Sequence, residues 1–266
     1  MRRLRSMLRF CVAVTVCLAL IPTHSWTQEK AEPELLVAAA ADLNPALHDI
    51  AQQYEKKTRI RIKLSFGASG ALTQQIENGA PFDLFFSADM DYPKRLIADG
   101  QADAPSLYQY SLGQLVLWVP ASSPLDVERQ GMAVLLDSSV KKIAIANPEH
   151  APYGRAAVAA LKHAGLYDRL SDRFVMGENV SQAAQFAESG NAQAGFVALA
   201  HALSPAVKSL GKFWVVPADY YPPLEQGVVV LSRSQHKKEA ADFLQYLKTK
   251  DASETLHKYG FTLPQN

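Results

Sequence analysis

The chain has 266 residues, 27 basic against 26 acidic side chains, a formal charge of +1, 48% apolar residues and two cysteines. A near-neutral chain with no basic stretch beyond its first residues offers no nucleic-acid surface. Its apolar content is that of a globular fold that can bury a core, and none of its apolar runs is long enough for an ordinary membrane span.

Arg2, Arg3, Arg5 and Arg9 make a basic start, residues 10–21 are apolar and uncharged, and Thr23, His24 and Ser25 follow. This order predicts a secretory signal peptide over residues 1–27 and export to the periplasm. Cleavage near Trp26 or Gln28 removes four arginines and no acid, which takes the formal charge from +1 to −3. Cys11 and Cys17 leave with it, so the mature chain has no thiol for a disulfide or a metal. The rest, roughly 240 residues, suits one large domain or two small ones.

Strands and helices then alternate. Residues 35–39 read as a strand. Residues 45–55 read as a helix, with Leu47, Ile50, Ala51 and Tyr54 at helical spacing and Asn44 as its N-cap. Ile60, Ile62, Leu64 and Phe66 predict a second strand, which runs into the turn Gly67-Ala68-Ser69-Gly70. A short helix carrying Leu72 and Ile76 follows, stopped by Gly79 and Pro81. A strand over residues 82–86, a helix over 92–99 ended by Gly100, and a strand over 114–119 complete this series.

A second series has strands at 142–146, 174–175, 194–199 and 214–217, with helices at 154–164 and 180–189. The stiff turn Tyr220-Tyr221-Pro222-Pro223 leads to a last strand, 227–231, and two closing helices, 237–249 and 252–259. The alternation predicts an α/β fold with parallel-rich sheets flanked by helices. Two series predict two lobes, residues 34–115 plus 228–266 and residues 116–227, with a cleft between them.

Four turns precede helices: Ala40-Ala41-Asp42-Leu43, the Gly67 turn, Ala151-Pro152-Tyr153-Gly154, and Gly177-Glu178-Asn179-Val180-Ser181. Each leaves backbone N–H groups at the positive end of a helix dipole, which suits an anion. Each taken singly is also an ordinary helix cap. Ligands of open α/β sheets sit off the carboxyl ends of the strands, so lobes that face each other bring all four turns to one cleft. The first three turns hold no Arg or Lys, so neutral donors would hold the anion.

Five segments carry a resemblance. They are LLVAAAADLNPAL (35–47), SFGASGALTQQIENGAPFDLFFSAD (65–89), IANPEHAPYGRAA (145–157), GENVSQAA (177–184) and KYGFTLP (258–264). With them the chain resembles the periplasmic molybdate-binding proteins, the soluble receptors of ABC importers. The resemblance implies a two-lobed receptor of the type II periplasmic-binding-protein fold that closes on molybdate or tungstate. It implies a binding protein rather than an enzyme, with no cofactor, no resident metal, a membrane permease as partner and a monomeric state. By position it assigns the ligand to Ala41, Asp42, Ser69, Tyr153 and Val180. Some members carry a tyrosine where this chain has Ala198; Tyr153, one loop away, is the expected replacement for that hydroxyl.

Asp42 departs from the serine or asparagine of many members. An ionised carboxylate only accepts hydrogen bonds, and about 4 Å from a dianion it opposes binding by roughly 8 kcal/mol at an effective dielectric near 20. Three outcomes are open. Asp42 can turn away to the loop or to the Asn44 N–H, and this is the favoured outcome. It can be protonated in the closed form. Or it can accept from a proton-bearing oxyanion such as phosphate or phosphite, which makes a phosphate-type receptor the alternative.

Other candidates are weaker. Glu149-His150 has no second His nearby and reads as loop structure; Asp83 and Asp89 read as turn or cap residues. A secreted hydrolase of anionic esters is the alternative from another class. It needs a nucleophile with a base in reach, and the chain has no G-x-S-x-G elbow and no cluster of metal ligands.

Overall fold

The computed structural model describes residues 33–262. The predicted signal peptide (1–27) and the final motif residues Leu263 and Pro264 lie outside the described residues. Along the chain, β1 (Glu34–Ala40), α1 (Asn44–Thr58), β2 (Arg61–Gly67), α2 (Ser69–Glu77), β3 (Leu84–Ser87), α3 (Asp91–Ala98) and β4 (Tyr108–Gly113) come first. They are followed by β5 (Leu115–Pro120), α4 (Val127–Gln130), β6 (Ile143–Ala146), α5 (Pro152–His163), α6 (Tyr167–Leu170), β7 (Phe174–Gly177), α7 (Val180–Glu188), β8 (Ala194–Ala198), α8 (Leu199–Ala202) and β9 (Gly211–Val215). β10 (Leu224–Val230), α9 (Lys237–Leu247) and α10 (Lys250–Lys258) close the chain. Among the described residues no helix is long and apolar enough to cross a membrane.

Among the described residues ten strands form two five-stranded sheets, ordered β2-β1-β3-β10-β4 and β7-β6-β8-β5-β9. Both are mixed. β1 pairs in parallel with β2 and β3, whereas β10 runs antiparallel to β3 and β4. In the second sheet β6 is parallel to β7 and β8, and β5 is antiparallel to β8 and β9. The chain passes to the second sheet between β4 and β5 and returns to the first between β9 and β10.

Each sheet is covered by its own helices. Leu35, Val37 and Phe86 pack on Leu47 and Ile50 of α1, Phe243 and Leu247 of α9, and Leu256 of α10. In the second half Leu115, Leu117, Ile143, Ile145 and Phe196 pack on Ala157 and Leu161 of α5. α2 and α3 stop where Gly79 (φ 93°) and Gly100 (φ 69°) take the left-handed conformation that only glycine adopts freely.

Several elements differ from expectation. β4 is a full strand that the sequence pattern does not announce. β9 sits at 211–215 rather than 214–217, because its antiparallel pairing with β5 sets Gly211 against Pro120 and Val215 against Val116. β10 starts three residues early and carries a bulge between Gln226 and Gly227. Asn44 does not cap α1. It is the first helical residue, after a 3-10 turn at Ala41–Leu43, and its N–H goes to the Ala41 carbonyl.

Candidate functional site

Five of the six strands with parallel partners, β1, β2 and β3 in one sheet and β6 and β7 in the other, end at the same place. The loops after them line one small cavity of about 10 Å³. Ala40, Ala41 and Asp42 follow β1; Gly67, Ala68 and Ser69 follow β2; Ala88 follows β3; Ala151, Pro152 and Tyr153 follow β6; Asn179 and Val180 follow β7. Sites for drug-sized ligands run to about 300–1,000 Å³, so this one has no room for such a ligand. The five residues singled out from the sequence, Ala41, Asp42, Ser69, Tyr153 and Val180, all line it. Ala198 does not; it is fully buried at the end of β8.

The loops offer donors. First-turn N–H groups have no acceptor within their own helix. At α5 the N–H groups of Gly154 and Arg155 return to the Ala151 carbonyl and Pro152 has none, which leaves that of Tyr153. At α7 the Asn179 side chain accepts from Gln182 N–H at 3.1 Å, which leaves Val180 and Ser181. At α2 the Gly70 N–H donates to the His150 carbonyl at 2.9 Å, which leaves Ser69. The Ser69 hydroxyl is fully buried and accepts from Ala88 N–H at 3.0 Å. Among the described residues it donates to no acceptor, so its proton is available. None of the lining residues is Lys, Arg or His.

Asp42 is 1% exposed, and its side chain has turned to a partner that the sequence does not suggest. Oδ2 accepts from the Gln226 amide of β10, not from the Asn44 N–H, which Ala41 already holds. The Tyr110 hydroxyl donates to Gln226 Oε1 at 2.7 Å, which fixes the amide with its nitrogen toward Asp42. The same nitrogen lies 3.5 Å from the Tyr153 hydroxyl. The Tyr153 hydroxyl thus lies in this network, beside Asp42. Asp42 Oδ1 is buried without a partner. Burial pushes the Asp42 carboxyl up to about 6, against the opposing interactions of Gln226, Tyr153 and the backbone N–H groups of Asp42 and Leu43. Burial, with the nearby Asp42 charge, holds Tyr110 and Tyr153 well above the usual phenol range.

Three contacts cross the cleft beside the cavity. Gly70 bonds His150, Ser181 Oγ donates to the Ala41 carbonyl at 3.1 Å, and Arg155 on α5 pairs with Asp89 after β3. Arg155 also donates to the Tyr92 hydroxyl at 3.1 Å and lies over that ring. Asp89 caps the chain at Asp91 N–H, and Asp83 ties Leu36 N–H to Ser234, so both carboxylates have turn and bracing roles. Glu149 and His150 are a surface pair 3.8 Å apart. No group of three or more metal-ligating side chains occurs among the described residues.

The model of the bacterial extracellular solute-binding protein family matches residues 35–262. The chain belongs to this family. This solute-binding protein is 40% identical to the molybdate-binding protein ModA of Azotobacter vinelandii over 86% of its own length and 90% of the relative's. Against the molybdate-binding protein ModA of Rhodobacter capsulatus it is 37% identical, covering 86% and 88%. The solved periplasmic molybdate-binding protein of Azotobacter vinelandii superposes with a TM-score of 0.82 at 39% identity, covering 87% of this chain and all of that one. The sulfate-binding protein SubI of Mycobacterium tuberculosis shares the fold, with a TM-score of 0.72 at 15% identity. The solute-binding protein thus has the two-sheet architecture of type II periplasmic binding proteins, and its relatives are transport proteins, not enzymes.

Gln226, Tyr110 and Arg155 are the residues near the site that sequence reasoning missed. Only Arg155 left a signal, because it lies inside the APYGRAA motif.

Proposed function

We propose that this protein is a periplasmic receptor that captures molybdate or tungstate between two lobes and delivers it to the permease of an ABC importer. The observation that carries this reading is a small cavity at which the loops of both sheets meet, whose walls hold uncommitted donors and no cationic side chain. The names of the relatives supply the ligand class. A tetrahedral dianion would take N–H groups from Ala41, Asp42, Tyr153 and Val180 and the hydroxyl of Ser69. Charge-assisted hydrogen bonds contribute about 1.5–3 kcal/mol each, and four or five of them reach the roughly 8 kcal/mol of micromolar binding. The lobes would be the two sheets with their helices, moving about the two crossings of the chain. Export by the N-terminal signal and a monomeric state, with no nucleic-acid partner, complete the reading.

A thermal-shift panel with molybdate, tungstate, sulfate and phosphate tests it. A ligand at a hundred times its dissociation constant stabilises by about 2.7 kcal/mol, which in a domain of this size raises Tm by about 5–10 °C. The expected result is a shift with molybdate and tungstate at concentrations where sulfate and phosphate give none. No shift with any of the four removes the proposal.

A further inference from the structure

The reading above leaves a carboxylate in an anion site, and the geometry around it points to a definite role. We propose that Asp42 takes up one proton when the oxyanion binds, so that the receptor captures a dianion together with a proton held on Asp42 Oδ1. This rests on the oxyanion-receptor reading.

Asp42 lines the cavity and is buried, and its two oxygens are not equivalent. Oδ2 is committed to the Gln226 amide, whose orientation the Tyr110 hydroxyl fixes from the other side. Oδ1 is left without a partner. A carboxylic acid has one O–H to place, and Oδ1 is the oxygen free to carry it.

The groups that face Asp42 supply no compensating charge. Tyr110 comes from β4, Tyr153 from α5 and Gln226 from β10, and both phenols are held in their neutral form. Behind Tyr153 stands Tyr221, another phenol pushed upward by burial. The imidazoles on neighbouring helices are committed elsewhere: His48 of α1 packs at a tilt against Phe66, and His201 of α8 pairs with Glu188. Arg155 is held by Asp89 and Tyr92. A dianion entering this cavity therefore meets an unneutralised carboxylate, and a proton is the counter-charge the site can recruit. Burial brings Asp42 up to about 6, within reach of neutral pH, and a neighbouring dianion raises it further.

The acid form also selects. With a proton on Oδ1 and Oδ2 already accepting from Gln226, Asp42 adds a donor to the site and has less acceptor capacity than the carboxylate. A ligand bearing its own O–H would leave that proton unpaired in a wall of donors, which is costly. A fully deprotonated oxyanion leaves no proton unpaired.

Titration calorimetry with molybdate at several values between about pH 6.5 and 8.5, in buffers of different ionisation enthalpy, reads the proton directly. Wild type is expected to take up close to one proton per molybdate at the alkaline end, with affinity falling up to tenfold per pH unit. Asp42→Asn is expected to lose both the uptake and the slope, and to bind molybdate more tightly than wild type at the highest pH. Binding by wild type without proton uptake overturns the proposal whatever the variant does, as does uptake that persists in Asp42→Asn. Wild type that binds no oxyanion at all overturns the receptor reading itself, a result distinct from binding without a proton.

Discussion

At the scale of single residues, the site depends on which hydrogen-bonding capacity is already spent. Ser69 spends its lone pair on Ala88 N–H and keeps its proton. Ser69→Ala is therefore expected to lower molybdate affinity by about tenfold to a hundredfold, the worth of one hydrogen bond to a charged group. It also orphans the buried Ala88 N–H, so the unliganded variant should melt lower; calorimetry and a melting curve separate the two effects. Asp42 has the opposite balance. Its folded pKa of about 6 lies above the unfolded value of 3.8, so the folded protein binds the proton more tightly. The stability linked to this group is fully present below about pH 4 and is lost as pH rises through about 6. Asp42→Asn is thus expected to stabilise the unliganded protein by about 3 kcal/mol at pH 7 and by much less at pH 4. Urea unfolding at both values checks this, and an equal gain at the two would contradict a buried ionisation. The loops that carry Ser69 and Asp42 were legible from the sequence because glycine and small residues before an amphipathic helix leave a local pattern. Gln226 was not, since it lies 184 residues from the carboxylate it holds. Long-range pairing leaves no periodicity to read.

Elements were legible where burial follows a period. α1, α9 and the parallel strands bury one stripe or a continuous run, and their positions were predicted to within a few residues. β4 was not predicted, because YQYSLG mixes buried Tyr110 and Ser111 with half-exposed neighbours and shows no clean alternation. It exists because β10 pairs with it, a tertiary cause. The missed strand matters to the site, since it supplies Tyr110. α5 shows how an element places donors. A Cβ at Gly154 would sit 2.2 Å from the Ala146 carbonyl oxygen, so glycine lets the start of this helix seat against the end of β6. That close approach delivers the Tyr153 N–H to the cavity. Gly154→Ala is expected to cost about 1–3 kcal/mol in stability, since a backbone contact must open. It should also weaken molybdate binding by displacing the first turn. A variant with wild-type stability in urea and wild-type affinity would show that the seating does not matter.

At the scale of the whole molecule, a receptor binds tightly only as far as its closed form is favoured. The cross-cleft contacts therefore belong to affinity even where they do not touch the ligand. Two of them, Gly70 to His150 and Ser181 to Ala41, end on backbone carbonyls and lie among the loops of the cavity. The third joins side chains: Arg155 grips Asp89 and Tyr92 from the first turn of α5. Arg155 is 41% exposed and Asp89 23%, so solvent screens the pair and its contribution is that of a good surface ion pair, about 1 kcal/mol. Opening of the cleft would break this contact, so its value would enter the closing equilibrium. Arg155→Ala should weaken molybdate binding about fivefold, mainly through faster release. Because the contact is ionic and partly exposed, raising the salt concentration should narrow the gap between wild type and variant. Stopped-flow release rates at low and high salt provide the measurement. A gap that persists unchanged at high salt would assign the effect to packing on Tyr92, and no gap at either salt would mean that closure is decided by the ligand and the backbone contacts alone.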